Sequence, residues 1–178
     1  DPWGQGDFPF YYVQIAPYDY AQLPPYNSGG KYNSAYLRDA QRKALAFIPN
    51  SGMAVLMDIG EQATIHPQHK EAAGTRLAYL ALTQTYGLKG VEAASPTYRD
   101  ITVNGSIATI RFEHGENGLT SYTKPLQYFE IAGKDKLFYP AQAAISGSTV
   151  VVSSPLVKEP VAVRYAWRDF ITGDLFGT

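Results

Sequence analysis

One stretch of the sequence, Met53 to Lys70, constrains the fold more than any other. It begins with an apolar run of strand length and changes at Asp58 into a polar loop. The loop ends at His66-Pro67, and because proline suits the first helical position, a long helix is predicted to start there. In an open α/β sheet, the loops after the strands line the ligand crevice. The stretch therefore predicts a buried strand that delivers an acid and a histidine to one site.

The rest of the first half repeats this order of strand and helix. Nearly continuous apolar residues from Phe10 to Ala16 predict a strand buried on both faces, as in a parallel sheet. A loop is predicted from Tyr18 to Tyr32, and then a helix from about Asn33 to Phe47 with Ser34 as its cap. The second helix is predicted to run from Pro67 to about Tyr86. This order indicates a parallel α/β layer.

The pattern changes to short strands after Val91. Asp100 to Phe112, with Asn104-Gly105 in its middle, predicts a β-hairpin. Further strands are predicted at residues 126–132, 149–153 and 161–167, and no helix of normal length fits between them. We therefore predict an antiparallel β-sandwich, with the boundary in residues 91–98 and domains at 1–92 and 93–178.

Composition narrows the function classes. The formal net charge of −1 provides no basic surface for nucleic acid, and no apolar run is long enough to cross a bilayer. With no cysteine, the chain has neither a disulfide framework nor a thiolate metal site. Fourteen Tyr, eight Phe and two Trp are typical of large β-cores and equally of surfaces that stack on sugars. No cofactor is predicted.

Several separate motifs carry a family resemblance that spans nearly the whole chain. They are Trp3-Gly4, Asp7 to Pro17, Arg38 to Gln41, Pro49 to Ala54, Asp58 to Glu61, Ile65 to Pro67 with Lys70, Gly74 to Leu77, and Val163 to Trp167. Together they resemble the bacterial sialate O-acetylesterases, which belong to the SGNH (GDSL-like) hydrolase superfamily.

The resemblance implies both a fold and a reaction. The fold would be the C-terminal part of a three-layer α/β/α SGNH-hydrolase domain followed by the β-sandwich. The reaction would be serine-dependent hydrolysis of O-acetyl groups on a sialic acid or another glycan, in the periplasm or outside the cell. No serine of the chain lies in a Gly-Asp-Ser-like or Gly-x-Ser-x-Gly setting. We expect the nucleophile in a missing N-terminal segment, and the 178 residues alone to be inactive.

The resemblance implies that His66 is the catalytic base. At a pH near neutral, an imidazole can accept the proton of a serine hydroxyl. The alternative is a surface histidine in a loop or at a helix cap. Superfamily members commonly place the acid three residues before the histidine, where this chain has Ala63. The orienting acid is therefore predicted to be Asp58 or Glu61. Both carboxylates also fit a solvated loop or the favourable N-terminus of the next helix.

Other candidates are Gln14 and Arg38, either as substrate ligands or as a sheet-end hydrogen bond and a solvated helix charge. His66 and His69 form an H-x-x-H pair without a third ligand of suitable spacing, so no metal site is predicted. A function of another class also stays open. In it, the chain is a non-catalytic carbohydrate-binding module that uses the aromatic side chains of its β-half.

Overall fold

The computed structural model describes residue 4, residues 6–22 and residues 33–178. In these ranges the fold is mixed, with mostly antiparallel sheets and few helices. The chain forms two compact units: Asp1–Ala94 with Arg168–Thr172, and Ser95–Trp167 with Gly173–Thr178. We call Arg168–Thr172 the return segment, because it rejoins the first unit late in the chain. The predicted division into residues 1–92 and 93–178 contains no such return.

The first unit has the predicted order of strand, helix, strand and helix. Strands β1 (Phe10–Val13) and β2 (Ser51–Ala54) pair in parallel, with Phe10 opposite Ser51 and Val13 opposite Ala54. Helix α1 is Ala35–Ala44, and helix α2 is Lys70–Leu80, which continues as one turn of π-helix at Ala81–Thr85. A 3₁₀ turn lies at Tyr20–Gln22. Residues 23–32 of the predicted loop lie outside the described residues.

The prediction that the first strand is buried on both faces is wrong. Phe10 is 50% exposed and Val13 is 38% exposed. In the described residues, β1 and β2 form a two-stranded sheet. Two strands with one helix after each cannot cover both faces, so an apolar run of this kind stays partly in solvent.

Both helices differ in detail from the predictions. The Ser34 side chain does not cap α1: Asn33 Oδ1 instead accepts the N–H of Ala35 at 2.9 Å, while Ser34 Oγ accepts from the Arg38 guanidinium. Pro67 is buried in the preceding loop, and α2 begins three residues later, at Lys70. A proline is thus compatible with a helix start without specifying it.

The second unit is antiparallel throughout. Every residue from 95 to 178 is described and none lies in a helix, as predicted. The strands are β3 (Thr97–Asn104), β4 (Ile107–Glu113), β5 (Leu119–Thr120), β6 (Phe129–Ala132), β7 (Phe138–Pro140), β8 (Gln142–Ser146), β9 (Thr149–Ser153), β10 (Ala162–Tyr165) and β11 (Phe176–Gly177). They form a four-stranded sheet in the order β3-β4-β9-β8, a three-stranded sheet in the order β10-β6-β7, and the pair β11-β5.

Two tight hairpins shape the four-stranded sheet. The predicted hairpin is confirmed, with Asn104 opposite Ile107 and Gly105-Ser106 as its two-residue loop. Asn104 therefore belongs to the strand rather than to the loop. The β8–β9 hairpin repeats this arrangement with Gly147-Ser148. Gly105 and Gly147 have φ angles of 57° and 62°, which suits glycine at the first loop position of a type II′ turn.

The core of the second unit is built from both larger sheets. Alternate residues of β4 and β9 face Phe129 and Ile131 of β6. The buried set is Ala108, Ile110, Leu119, Phe129, Ile131, Val150, Val152 and Val157. Each fully buried aliphatic side chain contributes roughly 1.5–3 kcal/mol. The second unit therefore has the two packed antiparallel sheets that define a β-sandwich.

Candidate active site

The loops after β1 and β2 lie against each other because parallel strands end at the same edge of their sheet. The pairing extends one residue past β1, where the Gln14 N–H donates to the Ala54 carbonyl at 2.8 Å. Further on, the N–H of Asp19 donates to the Gln62 carbonyl at 3.3 Å. A Cβ added to Gly60 would lie 2.3 Å from the Pro17 carbonyl oxygen, so only glycine fits there. The segment that carries His66 is thus docked on the chain leaving β1.

Asp58 holds the start of this segment to helix α2. Its Oδ1 and Oδ2 accept from Nη1 and Nη2 of Arg76 at 2.7 and 2.6 Å, and Arg76 Nη1 also donates to the Val55 carbonyl at 2.6 Å. The hydrogen bond with Asp58 raises the pKa of Arg76 above its ordinary value, against the opposing effect of burial. Both oxygens of Asp58 therefore engage Arg76, and no described contact joins Asp58 to His66.

Glu61 closes the loop on both sides of His66. Its backbone forms an isolated antiparallel bridge with Thr64, and its Oε1 accepts the N–H of Gln68 at 2.6 Å. Thr64 and Gln68 each lie two residues from His66. Glu61 thus restrains the backbone that carries the histidine, whereas no contact in the described ranges joins the two side chains.

His66 is exposed, and its neighbour Pro67 is buried. Among the residues that the structure describes, the imidazole makes no hydrogen bond or ion pair. It does not cap α2, because His69 occupies the N-cap position, without a capping side-chain bond. The structure therefore presents an accessible imidazole on a restrained loop. Its role as catalytic base stays a prediction.

Gln14 and Arg38 lie in the interior of the first unit. Gln14 is 7% exposed, and its Nε2 donates to the Arg38 carbonyl at 3.2 Å. Its Oε1 is buried and has no partner in the part of the chain that the structure describes. The Gln14 side chain therefore makes a hydrogen bond at the end of the sheet. Its contact with a substrate stays a prediction.

Arg38 is 4% exposed and is therefore not the solvated helix charge of the alternative interpretation. Its guanidinium donates to Ser34 Oγ at 2.8 Å, to the Asp169 carbonyl at 3.4 Å and to the Arg168 carbonyl. Burial lowers the pKa of Arg38, and the charges of Asp169 and Tyr20 oppose this effect. The guanidinium thus holds the return segment in the first unit. Its contact with a substrate also stays a prediction.

Sequence reasoning missed Asp169, which the return segment brings into the first unit. Its carboxylate is buried and accepts the N–H groups of Ser34 at 2.5 Å and Ala21 at 3.1 Å. Its carbonyl accepts the N–H of Tyr18 at 3.3 Å. These partners lie well over a hundred residues earlier in the chain, so no local pattern reveals them. The only available signal was the charged pair Arg168-Asp169, which follows the predicted strand 161–167.

Neither a metal site nor a membrane span is found where the structure describes the chain. Across residues 6–22 and 33–178, no group of three His, Cys, Asp or Glu side chains is placed to hold a metal ion. No helix in these ranges has the length and apolarity needed to cross a bilayer.

Comparison with known proteins shows a similarity among solved structures. No family model matches the chain, and no curated protein matches it. The crystal structure of a carbohydrate acetylesterase from Xanthomonas citri matches with a TM-score of 0.83 and 35% sequence identity. The match covers 94% of this chain but 38% of that chain. The chain therefore shares the fold of a little over a third of that esterase.

Proposed function

We propose that this chain is part of a carbohydrate O-acetylesterase. The structural similarity to an acetylesterase over 94% of the chain carries this proposal. The accessible His66 supports it, because an esterase that uses a serine nucleophile needs an unblocked base.

In the proposed reaction, His66 accepts the proton of a serine hydroxyl as that oxygen attacks the acetyl carbonyl. The imidazolium then returns the proton to the sugar oxygen that leaves, and an acetyl-enzyme forms. His66 next activates a water molecule, which releases acetate and regenerates the serine. Asp58 and Glu61 act by holding the loop, since their carboxylates already bind Arg76 and the Gln68 N–H. Gln14 and Arg38 are buried and take no part in these proton transfers, and a contact of either side chain with the substrate stays a prediction.

The serine and the donors for the oxyanion would come from outside these 178 residues. This part of the proposal is supported by the first unit, which leaves large apolar side chains in solvent: Phe10 is 50%, Leu37 49% and Phe47 83% exposed. Large apolar side chains left in solvent fit a face that further structure would cover. We assign it to the remaining strands and helices of a three-layer SGNH-hydrolase domain, contributed by an N-terminal segment of the same enzyme.

The family resemblance bears on the finer identity of the substrate. An acetylated sialic acid, which the resemblance implies, and acetylated xylan or another acetylated glycan all stay candidates, since selectivity depends on the shape of the pocket. An enzyme with such a substrate would act in the periplasm or outside the cell.

The decisive experiment compares two histidine variants of the full-length enzyme. With p-nitrophenyl acetate and acetylated sugars, His66→Ala should lower kcat by about 10⁶-fold, since removing the base leaves only binding and oxyanion stabilisation. His69→Ala is the matched control, because it removes another exposed imidazole three residues away, and it should stay close to wild type. Circular dichroism should show both variants folded.

Two results would contradict the proposal. One is a folded His66→Ala variant with wild-type acetate release. The other is turnover of p-nitrophenyl acetate by the isolated 178 residues that is abolished by His66→Ala, because the nucleophile would then lie inside this chain.

A further inference from the structure

We propose that Asp169 is a positioning residue that holds the His66 loop in place, an inference that rests on the proposed function. Asp169 does not reach the imidazole itself. It acts through the segment Pro17–Ala21, on which the loop is docked. The connection has three links, and all of them lie within the first unit.

The first link joins Asp169 to that segment. Asp169 Oδ2 accepts the N–H of Ala21 at 3.1 Å, and its carbonyl accepts the N–H of Tyr18 at 3.3 Å. The other carboxylate oxygen accepts the N–H of Ser34 at the start of α1. Hydrogen bonds to a buried charged group are stronger than neutral ones, and their loss leaves unpaired donors. Asp169 therefore fixes the backbone of the segment against helix α1.

The second link joins the segment to the loop. The Asp19 N–H donates to the Gln62 carbonyl at 3.3 Å, one residue from Tyr18. Gly60 packs directly on Pro17, with no space for a side chain between them. A shift of the segment must therefore shift residues 60–62 as well.

The third link runs from Glu61 to His66. The bridge from Glu61 to Thr64 and the hydrogen bond from the Gln68 N–H to the Glu61 carboxylate enclose His66. Because both contacts start at Glu61, a displacement of residues 60–62 moves the histidine with them. Three links thus connect a residue near the end of the chain to the proposed base.

Asp169→Asn is the sharpest variant, since it keeps the size of the side chain. The amide has one acceptor oxygen, so its NH₂ group must face one of the two N–H donors, Ala21 or Ser34. A misplacement of the base by about 1 Å is enough to lower the rate by up to about 100-fold. We expect kcat to fall between about tenfold and 100-fold, with a smaller change in KM.

Asp174→Asn is the matched control. Asp174 also accepts a backbone N–H, that of Gln127 at 2.7 Å, and the Tyr165 hydroxyl at 2.7 Å, but it belongs to the second unit. In the full-length enzyme, both variants would be followed by steady-state kinetics and by hydrogen exchange with mass spectrometry. Asp169→Asn should speed exchange in peptides covering residues 57–69. Asp174→Asn should leave those peptides and kcat unchanged.

Wild-type kcat together with wild-type exchange at residues 57–69 in Asp169→Asn would overturn the inference. If Asp169→Asn does not fold, Asp169→Glu decides the question. It keeps both acceptor oxygens, so partial kcat with intermediate exchange supports the inference, and wild-type values contradict it. Failure of the proposed function is a separate result: His66→Ala would retain activity, while the exchange data would still report whether Asp169 holds the loop.

Discussion

The two units of this protein are stabilised by different kinds of contact. In the second unit, Ile131, Val150 and Val152 are all 0% exposed, and two antiparallel sheets bury them together. The first unit buries a few apolar side chains, Leu80 among them, together with the charged side chains of Arg38 and Asp169, while Leu37 and Phe47 stay in solvent. The second unit is thus organised by an apolar core. The first unit relies strongly on polar contacts between distant parts of the chain.

This difference shows in which unit the sequence pattern predicts the burial of side chains correctly. An alternating strand whose partners are all present buries the side chains that the pattern predicts. A continuous apolar strand such as β1 needs layers on both faces, and two strands with two helices do not supply them. Apolar residues of β1 are therefore partly exposed in the part of the chain that the structure describes.

The largest stability effect should come from the core of the second unit. Ile131→Ala removes a fully buried side chain between the two sheets and should lower the free energy of unfolding by about 2–5 kcal/mol. Chemical denaturation would measure this loss. Leu156→Ala, at a side chain that is 67% exposed, should change stability by less than about 0.5 kcal/mol. Similar losses of stability in Ile131→Ala and Leu156→Ala would contradict the assignment of an apolar core to the second unit.

Gly60 tests whether the loops of the first unit are packed as tightly as the core of the second unit. Gly60→Ala should cost about 1–3 kcal/mol and lower activity, because the new Cβ forces the His66 loop away from Pro17. Thermal unfolding and acetate release by the full-length enzyme of the proposed function would measure the two effects. Gly74→Ala is the control: no atom lies within 4 Å of its added Cβ on α2, and it should stabilise by up to about 1 kcal/mol. A fully active Gly60→Ala would show that the loop tolerates displacement.

The smallest effect should come from ion pairs on α1. Asp39 pairs with Arg42 at 2.8 Å and Lys43 at 2.6 Å. Burial alone would raise the pKa of Asp39, but the hydrogen bonds from Lys43 and Arg42 outweigh it and lower the pKa. Asp39→Asn should therefore cost about 0.3–1 kcal/mol at neutral pH, measured by denaturation at low salt.

The pH dependence of this effect follows from the direction of the shift. A carboxylate whose pKa is lower in the folded state stabilises the fold above its ordinary value of 3.8, and this contribution is lost as the pH falls through the lowered value. The difference between Asp39→Asn and wild type should hence shrink below about pH 4. Glu159→Gln, whose pair with Lys134 is about 80% exposed on both sides, should show no such difference. An equal pH dependence of stability in Asp39→Asn and Glu159→Gln would contradict the lowered pKa of Asp39.

Local signals in the second unit were strong enough to predict two of its elements closely. Asn104-Gly105 indicated the β3–β4 hairpin, and strand β9 has the predicted bounds, Thr149–Ser153. The β8–β9 hairpin was missed although it has the same Gly-Ser loop, because Gln142–Ser146 contains two alanines and a single large apolar residue. The two-residue strands β5 and β11 carry too little pattern for any sequence method that relies on periodicity.

The candidate site also has features that the sequence predicted and features that it did not predict. The stretch from Met53 to Lys70 indicated a buried strand followed by a loop with His66, because burial and turn chemistry are local properties. The strand that forms, Ser51–Ala54, begins and ends earlier than the predicted run from Met53 to Asp58. The restraints on that loop were not visible. Arg76 lies 18 residues beyond Asp58, and its hydrogen bonds depend on how α2 packs beside β2. The start of α2 at Lys70 was also decided by packing, since Pro67 is buried in the loop instead of opening the helix.

By itself, the sequence determined the order of strands and helices in the first half, the antiparallel nature of the second half and the place of His66 after a strand. These properties follow from the spacing of apolar residues and from the backbone preferences of glycine and proline. Only the tertiary structure decided that Asp169 returns to the first unit and that Arg38 is buried against it. A hydrogen bond between residues more than a hundred positions apart depends on the path of the whole chain, and no local pattern encodes that path.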